Sequence, residues 1–86
     1  MATIEASPLM AEVLTFLSTA PSAEDILAFE ASESLNDRMG ELLDKSREGE
    51  LTADEREELA EYLRMDHFVG MLKIKTAQRL NATKAN

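Results

Sequence analysis

Leu42-Leu43-Asp44-Lys45-Ser46-Arg47-Glu48-Gly49-Glu50-Leu51-Thr52-Ala53-Asp54-Glu55 is the stretch that decides the fold. Its Leu pair closes an apolar stripe of Leu35, Met39, Leu42 and Leu43, spaced so that one face of a helix collects them. Gly49 stands where a helix takes a left-handed residue in order to stop, and Thr52 with Glu55 three residues on is a capping box that starts another. A link of only a few residues forces the two helices to run antiparallel as neighbours. The spacing therefore predicts a helix hairpin over about 34–48 and 53–80, opened by Ser34 with Asp37. Gly40 costs its first arm about 1 kcal/mol against Ala, which the Leu and Met stripe offsets.

Working outward toward the N-terminus, Ser7-Pro8 is a hydroxyl cap followed by the residue best tolerated in a first helical turn. Leu9, Met10, Val13, Leu14, Phe16 and Leu17 then give a broad apolar face, predicting a helix over 8–18 that Thr19-Ala20-Pro21 ends. Ser22 with Asp25 opens a short helix over about 23–30, with Ile26, Leu27 and Phe29 as its core contacts. In the long last helix, Leu59, Tyr62, Leu63, Met65, Val69, Leu72 and Leu80 are the expected core. Phe68, Val69, Met71, Leu72 and Ile74 crowd one short segment and point all round it, so either the first two helices wrap this segment or a second chain does. Residues 81–86 read as a frayed polar tail. With no strand pattern, repeat or low-complexity linker, the expectation is an all-α single domain of about four helices over residues 1–86.

The chain has 86 residues, so a single domain of this size buries about 60 to 65 percent of the surface its unfolded form exposes. With three Phe, one Tyr and no Trp there is little material to wall off a substrate cavity, which argues against an enzyme. The absence of Cys removes disulfides, thiolate metal sites and cysteine nucleophiles, and makes the cytoplasm the expected address. Apolar runs are too short to span a bilayer, and no basic segment precedes an apolar one at the N-terminus. Residues 1–66 hold all 17 acids against five bases (Arg38, Lys45, Arg47, Arg56 and Arg64), a net charge of −12. From His67 onward Lys73, Lys75, Arg79 and Lys84 stand without an acid. Such an acidic body repels phosphates, so direct nucleic-acid binding is disfavoured and a basic protein is the better electrostatic match.

The turn also resembles the twelve-residue calcium loop of the EF-hand family. That resemblance implies ligands from Asp44, Ser46, Glu48, the Glu50 carbonyl, Thr52 and Glu55, with Gly49 at the sharp turn. Against it, Ser46 is a weaker ligand than Asp, Glu48 is long for its slot, Arg56 replaces an apolar residue and no second loop is present. The alternative is a plain hairpin turn that needs no metal, with acids gathered at a helix N-terminus because the partial positive charge there favours them. His67 is the only histidine, and its neighbour Asp66 does not share its helix face, so a structural or interfacial role is expected rather than catalysis. Glu57, Glu58 and Glu61 lack the Glu-x-x-His partner of a carboxylate metal site and read as a solvated face. No phosphate-binding loop or hydrolase motif is present, and no cofactor is expected.

Phe29, Ser32, Leu35, Arg38, Leu42-Leu43, Lys45, Arg47, Gly49, Leu51-Thr52, Glu55, Glu58-Leu59, Tyr62, His67 and Leu72-Lys73 form a pattern that resembles a group of short, acidic helical proteins of bacteria, cyanobacteria especially. Those proteins are often encoded beside small nucleases of the HNH kind. The resemblance implies an antitoxin-like inhibitor whose partner is a basic nuclease toxin. Residues Phe68, Met71 and Ile74, flanked by Lys73 and Lys75, are the expected partner-binding set, and a homo-oligomer is the alternative use of the same segment.

Overall fold

The structure is a computed structural model that describes residues 7–84. Among these residues the chain forms four helices and no strand: α1 (Pro8–Ser18), α2 (Ala23–Leu27), α3 (Glu33–Arg47) and α4 (Ala53–Lys84). The fold is all-α, as the sequence predicts.

Local chemistry fixes the ends of each helix. The Ser7 hydroxyl accepts the Met10 N–H at 3.2 Å, and Pro8 fills the first position of α1 without wasting a donor. Ser22 and Asp25 exchange side-chain and backbone hydrogen bonds at 3.1 and 3.3 Å, as a capping box requires. At the end of α3, Gly49 turns left-handed with φ +70°. Its N–H donates to the Ser46 carbonyl at 3.1 Å, and the Glu50 N–H donates to the Lys45 carbonyl at 2.8 Å. These are the paired reverse bonds of a Schellman stop. Thr52 and Glu55 then cap α4 reciprocally at 3.1 and 3.0 Å.

Three boundaries differ from the sequence reading. The α3 cap is Ser32 rather than Ser34, because the Glu12 carboxylate of α1 takes both the Ser32 N–H (2.9 Å) and its hydroxyl (2.6 Å), fixing Ser32 where its oxygen also accepts the Leu35 N–H at 3.3 Å. The second helix stops at Leu27 instead of near residue 30, since Phe29 turns inward and gives its carbonyl to the Lys73 ammonium at 2.7 Å. The last helix continues through residues 81–84, where a frayed tail was expected; the Thr83 hydroxyl donates to the Arg79 carbonyl at 3.0 Å.

The hairpin core consists of Met39 and Leu42 of α3 against Leu59 of α4, with Leu51 and Tyr62 packed around them. Leu42 is 1% exposed, a burial that stabilises the fold by about 1.5–3 kcal/mol. Leu9 and Val13 bury α1. Farther along, the Phe16 and Phe29 rings meet with centroids 4.8 Å apart, tilted by 42°, so α1 and the end of α2 share a small aromatic contact. Leu14, Leu27, Leu43 and Leu63, expected in the core, stay exposed.

A compact chain of this length has a radius of gyration of about 12 Å, whereas this one has 15.7 Å, with extents of 52 × 36 × 19 Å. The shortest extent is only about two helix diameters. Among the described residues, one long side of α4 therefore has nothing packed against it.

Candidate partner-binding face of helix α4

Two sides of α4 have opposite fates. Leu59, Tyr62, Met65, Val69, Leu72, Thr76 and Leu80 turn toward the other helices and are buried or half-buried. At 100° per residue, Leu63, His67, Gly70, Met71 and Ile74 share the opposite arc, with Phe68 at its edge, and all six are exposed. Leu63 is 50% exposed, Phe68 and Met71 48% and Ile74 54%, too much for incidental leakage from a core. The crowding of the 68–74 segment thus resolves into two sets: Val69 and Leu72 are half-buried, whereas Phe68, Met71 and Ile74 stay exposed among the described residues. Leu63 extends the patch by one further turn and was missed in the sequence reading. The signal was its offset from Ile74, three helical turns on the same face.

Of the two lysines assigned to this site, Lys75 is exposed, while Lys73 is spent inside the fold on the Phe29 carbonyl. Toward the N-terminal end the flank of the same face carries Glu57 and Glu61, and toward the C-terminal end Lys75 and Arg79. Glu61 also accepts a hydrogen bond from Arg64 at 2.5 Å.

Two acids of the turn, Glu55 and Asp44, are committed to partners within the hairpin. Glu55, its side chain 14% exposed, accepts Lys45 Nζ at 2.6 Å as well as the Thr52 N–H, and Asp44 accepts Arg47. Lys45 contributes most to holding the Glu55 carboxyl down at about 2, with the Thr52 N–H next. Ser46 lies within α3, and Glu48 and Glu50 are exposed. The six residues of the calcium-loop reading are therefore spread from the end of α3 to the first turn of α4, and two of their carboxylates face cations of the chain itself. Among the described residues, no three of His, Asp and Glu form a group that could hold a metal ion.

One turn deeper, Arg38 grips both oxygens of Glu58 through Nε and Nη2 at 2.8 and 2.9 Å and reaches Glu41 through Nη1 at 3.1 Å. The Glu58 carboxylate raises the Arg38 pKa further, and Arg38 in turn lowers that of Glu58. Tyr62 donates to Asn36 Oδ1 at 3.2 Å across the hairpin; burial pushes its phenol up, and the charges of Asp66 and Glu12 add to that. Arg38, Glu58 and Tyr62 of this cluster line a cleft of about 830 Å³ between α1, α3 and α4. Arg38 is shared there between two carboxylates, and among the described residues no buried side-chain polar atom lacks a partner. What the cluster does chemically is clamp α3 to α4. His67 is exposed on the uncovered face of α4, away from the clamp.

No known protein family, curated protein or solved structure matches the chain. Among the described residues no helix is long and apolar enough to cross a membrane.

Proposed function

We propose that this chain is a non-enzymatic, antitoxin-like inhibitor that docks a basic, nuclease-type protein through the uncovered face of α4. The observation that carries this reading is the exposed row of Leu63, Phe68, Met71 and Ile74, set in a molecule of net charge −8. Large apolar side chains of this kind supply most of the energy of an interface when a partner desolvates them. The acids around them compete with nucleic-acid phosphates for the same Arg and Lys of the partner, which is how an acidic protein shuts a nuclease surface. The resemblance of residues 29–77 to proteins encoded beside HNH-type nucleases supports the choice of partner.

The test is to recover partners of the tagged chain from its native host and assay any basic nuclease for inhibition by the purified protein. Stoichiometric inhibition that weakens about thirtyfold with Phe68→Ala, and association that slows as salt rises, are the expected results. Failure to recover or inhibit a nuclease, or equal inhibition by Ile74→Asp, refutes the proposal.

A further inference from the structure

We infer that, when no unlike partner is bound, the uncovered face of α4 is covered by the same face of a second copy of this chain, with the two α4 helices antiparallel. The inference rests on the α4 face being a docking surface, as proposed above, and adds that self-association occludes it.

The argument is the distribution of charge about Phe68. Glu57 and Arg79 lie eleven residues to either side of Phe68, and Glu61 and Lys75 lie seven. Seven and eleven residues are close to two and three whole turns of helix, so all four side chains share the flank that Phe68 occupies. All are exposed except Glu61, which is half-buried. A two-fold axis beside Phe68 then sets Glu57 against the Arg79 of the second copy and Glu61 against its Lys75, twice over by symmetry. The same axis brings the two Phe68 rings together on this flank and lays Leu63 against Ile74 along the other. Parallel pairing would instead put the two like flanks on opposite sides of the seam, where none of these four charges meets its complement. Arg64, already held by Glu61, keeps its intrachain partner.

Two further features fit a helix laid along this face. The molecule is 19 Å thick on its shortest axis, about two helices, so a second α4 supplies the missing layer. Gly70 lies at the edge of the uncovered arc farthest from Phe68, and a Cβ added there meets nothing within 4 Å among the described residues, which leaves the backbone open on that side. The paired stretch from Glu57 to Arg79 is about 33 Å long.

Sedimentation equilibrium of the whole chain, free of other proteins, tests the idea. The wild-type protein is expected to dimerise. Glu57→Lys with Glu61→Lys, and separately Lys75→Glu with Arg79→Glu, should each weaken the dimer about tenfold or more, because each makes both flanks repulsive. Combining all four substitutions should restore the dimer to within about threefold, a rescue that only antiparallel pairing gives. Ile74→Asp should be monomeric with unchanged helical circular dichroism. A wild-type chain that stays monomeric, or a dimer indifferent to the charge swaps, overturns the inference. A monomer that still inhibits a nuclease through Phe68 assigns the face to the unlike partner alone, sinking the inference while sparing the proposed function; a charge-dependent dimer that inhibits nothing does the reverse.

Discussion

Ala20 and Gly49 occupy the same kind of position, the first residue past a helix, and both have positive φ, +55° and +70°. Only one of them suits it. A left-handed backbone crowds Cβ against the carbonyl, at a cost of about 1–2 kcal/mol that glycine escapes. Ala20 carries this strain without the second reverse bond that Glu50 gives at the other site, since Pro21 has no N–H to donate. Ala20→Gly should therefore stabilise the fold by about 1 kcal/mol, raising the melting temperature by about 4–8 °C, whereas Gly49→Ala should lower it by a similar amount. Thermal unfolding of the two variants beside the wild type checks both signs. Gly49 announces its geometry in the sequence; Ala20 does not, since Thr19-Ala20-Pro21 says only that a helix ends.

At the scale of elements, the hairpin is held by a seam of Leu and Met with an ion cluster beside it, and its charge makes the fold sensitive to acid. The Glu55 carboxyl sits at about 2 in the folded chain because Lys45 and the Thr52 N–H favour its ionised form. A group depressed on folding contributes stability that is complete above its unfolded value, about 4.5, and is lost as pH falls through the folded one. The melting temperature should thus fall between about pH 5 and pH 2, and Glu55→Gln should flatten that dependence; a wild-type profile as flat as the variant's would remove Glu55 from the seam. The sequence showed the hairpin because its signals are local: a glycine stop, a capping box and an apolar stripe all within a few residues. It could not show Ser32 as the α3 cap, since the selecting group, Glu12, is twenty residues upstream. Arg38 and Glu58 are equally far apart, and nothing in either neighbourhood marks the other as its partner.

For the whole molecule, the crowded apolar segment was legible, but which of its residues stay uncovered was not, because that depends on where the short α2 comes to rest. The length of α4 has its own consequence. Isolated helices become viable beyond about 12–15 residues, and α4 has 32. Asp54 and Glu55 stand in its first turn, where they oppose the positive pole of the helix macrodipole. By contrast, α2 has five residues and depends on α4 for its packing. Opening should be hierarchical, with α2 leaving first and the central turns of α4 last. Native-state amide exchange on the monomeric Ile74→Asp variant should place the α2 amides at the low-energy end and those near Leu59 at the global limit; uniform protection along the chain would contradict this. The longest helix is then the spine on which the chain refolds, and a partner seated along it grips the one element that persists when the others let go.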